Sequence, residues 1–213
     1  MKKYRILYAL LLIVPGITGK SQKIINKTID WEPGQNVEIN IGIIDSIKIV
    51  AWDQDKVQAS LSVNIDNNKH NDWYDLITET SNNSVKLEGS FSKNKTLKNL
   101  NVVNAEINGT IYIPKECYLS VETINGNVEV KGHQGSLNVN TISGFIDVSL
   151  SSKRSASLTI NSISGKVFTD LDLTNEKQTN SFIGTNIKAK INNGQTPINL
   201  KTISGNIYLR EDI

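Results

Sequence analysis

One cysteine, Cys117, stands in the 213 residues, so no internal disulfide can form and the fold must rest on its core and its hydrogen bonds. Histidine, the commonest general base, occurs only as His70 and His133. Neither has a cysteine or a second histidine at metal-ligand spacing. There is no G-x-S-x-G elbow, no phosphate-binding loop and no dinucleotide fingerprint. Asp53-Gln-Asp55 starts like a calcium loop but lacks the glycine and the closing glutamate, which leaves a turn. No cofactor or metal is therefore expected. No long basic run is present either, which argues against nucleic acid or an anionic membrane as a partner.

Long apolar runs are also missing. The longest, Ile6–Val14, has nine residues, against the roughly 20 needed to span a bilayer. It follows the basic start Met1-Lys-Lys-Tyr-Arg5 and precedes the small residues Gly19 and Ser21, the pattern of a secretory signal peptide over residues 1–21. No cysteine follows it to carry a lipid. Cleavage after Ser21 would remove four of the 23 basic residues, leaving 19 against 21 acidic ones. The expected location is extracytoplasmic: periplasm, cell surface or secreted, with no span left after processing.

What the chain does have is repetition. Val121-Glu-Thr-Ile-Asn-Gly-Asn-Val-Glu-Val130, Val139-Asn-Thr-Ile-Ser-Gly-Phe-Ile-Asp-Val148, Ile160-Asn-Ser-Ile-Ser-Gly-Lys-Val-Phe-Thr169 and Leu200-Lys-Thr-Ile-Ser-Gly-Asn-Ile-Tyr-Leu209 are near copies. A looser copy surrounds Gly184. The glycines Gly126, Gly144, Gly165, Gly184 and Gly205 are 18, 21, 19 and 21 residues apart, and Gly109 lies 17 before the first. A period near twenty marks stacked units, none of which can bury its apolar face alone.

Within each unit, the residues seven, five and three before the glycine form one stripe, as in Leu119, Val121 and Thr123. Residues two before, two after and four after form another, as in Ile124, Val128 and Val130. Both stripes have period two, but the phase slips by one between them. A coil that turns a corner at that slip, with Ile124, Ile142, Ile163 and Ile203 pointing inward, accounts for the pattern. The rival is a series of hairpins turning at Asn-Gly or Ser-Gly, which would leave those four isoleucines on the other face. The fold class expected is all-β: a β-solenoid of single-stranded coils of about 17–21 residues over 105–213. An antiparallel β region over 22–104, with a short helical turn near His70–Ile77 and a mobile loop from Ser90 to Asn101, precedes it. Charges in Arg210-Glu-Asp-Ile213 would guard the open edge of the last coil. Cys117 is in phase with Leu119 and Val121, so burial is expected.

These phrases resemble the bacterial putative-adhesin family of exported β-strand-repeat proteins, close in style to GIN-type adhesin-head domains. The resemblance rests on Gly109-Thr-Ile-Tyr-Ile-Pro-Lys115, on Leu119–Gly132 and on the Thr-Ile-Ser-Gly repeats, covering residues 105–210 well and 36–66 more loosely. It implies a β-helical envelope or surface protein without catalytic residues.

Two outward constellations remain. Glu129 and Asp147 both lie three residues after their glycine and would stack on neighbouring coils about 5 Å apart, a spacing that suits a retaining glycosidase. Asn140, Asn161 and Asn180, with Glu122 and Lys201, share another outward position, and Asn125, Ser143, Ser164 and Ser204 a third. Such rows suit a glycan or an extracytoplasmic protein partner. Trp31, Trp52 and Trp73 anchor the leading strands or stack on sugars. The reading is a non-enzymatic binding scaffold of the envelope or surface. The alternatives are a polysaccharide-active enzyme using the carboxylate pair, or a periplasmic scaffold or sensor.

Overall fold

The computed structural model describes residues 21–174 apart from 93–103, the backbone of 175–180, and residues 184–212. Nearly all of the expected signal segment and most of the expected loop after Ser90 therefore lie outside the described residues. Six strands come first: β1 (Lys23–Asp30), β2 (Asn36–Asn40), β3 (Ile43–Trp52), β4 (Lys56–Ile65), β5 (Tyr74–Thr80) and β6 (Ser84–Phe91). β7 (Ala105–Pro114), β8 (Leu119–Lys131), β9 (Leu137–Ser143), β10 (Ile146–Leu150) and β11 (Ala156–Ser164) follow. β12 (Val167–Thr169), β13 (Thr174–Asn180), β14 (Thr185–Ile191), β15 (Thr196–Ser204) and β16 (Ile207–Glu211) complete the chain. The helical turn is a single 3₁₀ turn, Asn71–Trp73; Asp72 does not cap it.

The Thr-Ile-x-Gly phrases are not hairpins. β9 pairs in parallel with the first half of β8, Val121 opposite Val139 and Thr123 opposite Thr141. β10 pairs in parallel with the second half, Val128 opposite Ile146 and Val130 opposite Val148. Each phrase thus contributes one strand to each of two parallel ladders, with the glycine at the bend. Gly126 and Gly144 sit there at φ +144° and +129°, a region open to glycine and costly for other residues.

The phase slip is real, but it falls later than the sequence pattern suggests. Leu119, Val121 and Thr123 point inward, and so do Val128 and Val130. Ile124, Ile142, Ile163 and Ile203 point outward instead, a correction to the inward expectation. The inside of the bend is filled by the hydroxyl residues three before each glycine. Thr202 Oγ1 donates to Gly144 O at 3.4 Å and Ser162 Oγ to Gly205 O at 3.2 Å, so a buried hydroxyl meets a carbonyl of the neighbouring bend. No room is left there for isoleucine.

The coils are also not stacked in chain order. β15 lies between β9 and β11, with Leu200 opposite both Val139 and Ile160. β16 likewise lies between β10 and β12. The close approach of backbones at the bends shows the same order. A Cβ on Gly144 would meet Gly126 O at 2.2 Å, one on Gly205 would meet Gly144 O at 1.9 Å, and one on Gly165 would meet Gly205 O at 1.8 Å. β16 is therefore no outer coil: residues 207–209 have a strand partner on each side, while Arg210 and Glu211 pair with β10 alone.

The irregular copy at Gly184 explains how this arises. It forms no coil: β13 and β14 are an antiparallel pair, and β14 runs antiparallel to β11. The turn at 192–195 then carries the chain round the start of β11 to its opposite side, where β15 begins beside Ala156. Gly109 is no bend either; it lies inside β7, where a Cβ would strike Leu61 Cδ2 at 2.2 Å.

The leading region is antiparallel only in part. β1–β4–β7 and β5–β6 are antiparallel. β2 and β3 instead lie parallel on β8, placing Val37 and Ile39 opposite Leu119 and Val121, and Ile47 and Ile49 opposite Val128 and Val130. They act as a further turn of the same two ladders, with Ile44 O at the bend where the glycine carbonyl otherwise sits. One continuous core runs from Ile25 to Leu209.

Candidate functional site

The outward isoleucines form a row along the bend, in spatial order Ile124, Ile142, Ile203 and Ile163, exposed by 58%, 48%, 40% and 50%. Just past the bend, residues one and three after the glycine also face outward, and three of them are aromatic. Phe168 stacks on Tyr208 with centroids 5.3 Å apart, and Phe145 meets Tyr208 edge-on at 6.0 Å. Large apolar side chains singly exposed are ordinary, but these isoleucines are neighbours in register along one bend. The signal was present in the sequence: Phe168 and Tyr208 share the outward position of Glu129 and Asp147.

Glu129 and Asp147 are indeed neighbours in register. Each is held by a cation on the same face. Arg210 Nε lies 2.9 and 2.8 Å from the two Asp147 oxygens, and Lys131 Nζ lies 2.7 Å from Glu129 Oε1. Arg210 also sits 5.3 Å over the Tyr208 ring. The carboxylate pair is thus part of an ion-pair network bordering the aromatic cluster.

The asparagine row is interrupted by the coil order. Asn140 lies between Glu122 and Lys201, and Lys201 separates it from Asn161. The Asn180 side chain falls outside the described residues. Ser143, Ser204 and Ser164 are consecutive in register and exposed, beside the isoleucines. Of the tryptophans, Trp31 is buried, its indole donating to Gln35 O at 2.9 Å, while Trp52 stacks on Tyr112 at 5.1 Å and Trp73 on His70 at 3.7 Å.

At the far ends of the strands, away from the bend, lies a polar cluster that the sequence did not disclose. His133 is 3% exposed. Its Nε2 is 2.9 Å from Cys117 O, which can only accept, so Nε2 carries the hydrogen. Burial holds its pKa down at about 4, and the Arg154 charge pushes the same way. Cys117 is buried, its thiol pushed up to about 12 by burial, so it is an inert core residue at neutral pH. The Arg154 guanidinium donates to His133 O and Gly135 O.

This histidine sets a pH dependence. Its folded pKa lies below the unfolded value of about 6.5, so the unfolded chain takes up the proton first as pH falls. Its contribution to stability is complete above about pH 6.5 and is lost progressively down to about pH 4, roughly 3 kcal/mol in all. Urea unfolding between those pH values should show that loss in the native protein, and His133→Gln should flatten it. An unchanged slope in the variant would assign the loss to other groups.

Comparison with known proteins places these observations. Residues 119–210 match the family model described as Toastrack DUF4097. A solved structure of a putative cell adhesion protein from Clostridium sporogenes aligns with 90% of this chain and 100% of its own length, at 12% identity and a TM-score of 0.58, so it shares the fold. A putative adhesin from Bacteroides fragilis covers 91% of this chain and 99% of its own at 11% identity, with a TM-score of 0.26, too low to bear on the fold. No curated protein matches.

Proposed function

We propose that this chain, which carries a Toastrack DUF4097 domain across its repeats, is an exported, non-enzymatic β-solenoid of the cell envelope or surface that binds a glycan along its outer bend. The parallel ladders, the bend glycines and the shared inward stripes support the solenoid reading. The reading keeps a leading region (22–104) and repeats (105–213), with β2 and β3 of the first stacked on β8 of the second. The observation that carries the function is the exposed strip of isoleucines continued by Phe145, Phe168 and Tyr208. Aromatic faces stack on the C–H faces of sugar rings, and the flanking Ser143, Ser164 and Ser204 hydroxyls and the Asn140 and Asn161 amides offer partners for sugar hydroxyls. The resemblance to adhesin-like repeats agrees with this use.

Binding of the mature protein to a glycan array tests the reading. Phe168→Ala with Tyr208→Ala should weaken a hit by at least about tenfold, or 1.4 kcal/mol. Ile142→Asp should also weaken it while changing unfolding stability by no more than about 0.5 kcal/mol, since that side chain is outside the core. Absence of any hit, or a hit indifferent to these changes, removes the proposal. Protease shaving of intact cells separates a surface role from a periplasmic scaffold: cleavage supports the first, and protection until the envelope is opened supports the second.

A further inference from the structure

The segments that close successive coils meet on the side away from the bend. Residues 132–134, parts of 149–155, residues 195–196 and Asp212 line a cavity of about 390 Å³. This is within the range of small-ligand sites. Hydroxyls and amides supply part of its wall, among them Ser149, Ser151, Ser155, Gln134 and Gln195. Two cations, Lys153 and Arg154, face one carboxylate, Asp212.

Arg154 is the informative residue. Its two carbonyl bonds to His133 and Gly135 use two of five donor hydrogens, and its Nε is shielded from water without a partner. No carboxylate among the described residues forms an ion pair with it. Burial lowers its pKa to about 10, which leaves it charged at neutral pH. A cation drawn out of water without a counter-ion is costly, and a bound anion would offset that cost. The wall is also held in place before any ligand arrives. Asn192 Nδ2 donates to Ser152 O at 2.9 Å and Arg154 O at 2.8 Å, Arg154 N donates to Ser151 O at 3.0 Å, and Thr196 N donates to Ser155 O at 3.1 Å. A wall fixed in this way loses little freedom on binding.

An inorganic anion would fill little of the cavity, and its hydroxyl and amide lining suits a polyhydroxy compound. We propose that this cavity binds a hexuronate, a sugar ring carrying a carboxylate, with Arg154 and Lys153 taking the carboxylate and the serine and glutamine side chains taking ring hydroxyls. The sugar acid is either free or the end of a polymer. The site is separate from the outer bend, and its success or failure does not depend on that surface.

Titration of ¹⁵N-labelled mature protein with glucuronate, glucose, inorganic phosphate and digalacturonate tests this. Glucuronate should shift amides of 132–134, 151–155 and 195–196 while leaving those of Phe145, Phe168 and Tyr208 in place, and glucose should bind at least about tenfold more weakly. Lys153→Gln, a change at an exposed side chain, should weaken glucuronate several-fold without altering the melting temperature. Arg154→Lys, which keeps the charge and loses the planar fork, should weaken it further. Digalacturonate binding more tightly than glucuronate would identify a polymer end as the ligand, and weaker binding the free acid. The proposal fails if glucose or phosphate binds as well as glucuronate, if Lys153→Gln changes nothing, or if no shift occurs up to about 10 mM, beyond the millimolar end of useful affinity.

Discussion

Gly144→Ala is expected to destabilise the protein by at least about 3 kcal/mol. Two effects add at this position. Its φ of +129° is unfavourable for any residue with a Cβ, and the new methyl would lie 2.2 Å from Gly126 O and 2.7 Å from Gly126 C. Both atoms belong to the backbone of the neighbouring bend, which cannot rotate away as a side chain could. Relief would require the two coils to separate, and they are joined by parallel ladders on both sides of the bend. Gly34 supplies the control: its φ is +100°, but a Cβ there would meet nothing within 4 Å. Gly34→Ala should therefore cost only the backbone term, about 1–2 kcal/mol. Denaturant unfolding of the two variants measures the difference directly. Equal losses would mean that the bends do not touch, and the stacking of coils at the glycines would be wrong.

Ending the chain at Gly194, which removes β15 and β16, should abolish the cooperative transition of the repeats. In a stack built in chain order, the same deletion would peel away one terminal coil and leave the rest standing, because each unit contacts only its neighbours. Here the deleted strands are interior. Ile198, Leu200 and Ile207 are fully buried and Leu209 is 1% exposed. At about 1.5–3 kcal/mol each, their burial amounts to roughly 6–12 kcal/mol, comparable with the 5–15 kcal/mol that stabilises a whole domain. The deletion also strips ladder partners from β9 and β11, and from β10 and β12. Far-UV circular dichroism and a thermal melt decide the matter. A truncated protein with the parent's melting temperature would show that the last repeat is peripheral, and the coil order described above would fall.

The alternation of apolar and polar residues was enough to establish an all-β chain, the repeat near twenty residues, the inward positions seven, five and three before Gly126, Gly144, Gly165 and Gly205, and those two and four after Gly126, Gly144 and Gly205. Those features are local: side chains on a strand alternate whatever the strand pairs with, and an apolar stripe must leave water. The same pattern also implied a phase slip. It could not place it, because a slip before Ile142 and one at Gly144 leave the same residues apolar. Only the packed bend, already filled by Thr141 and Thr202, turned the isoleucines outward and so created the exposed strip beside Phe145, Phe168 and Tyr208.

The order of the coils was beyond local reading for a related reason. Repeats with nearly identical ladders are interchangeable as neighbours, so Val139 can pair with Ile160 or Leu200 equally well on sequence pattern. The choice was made by connections: the antiparallel hairpin of β13 and β14, and the turn at 192–195 that crosses to the other side of β11. That choice separated Asn140 from Asn161 and put Arg210 beside Asp147. It also gathered the loops around Arg154 and His133 into one cavity. Residue types and spacing determined most of the buried side chains, the four bend isoleucines excepted. Non-local strand pairing determined which of them would meet, because backbone hydrogen bonds are the same for every repeat and carry no record of sequence order.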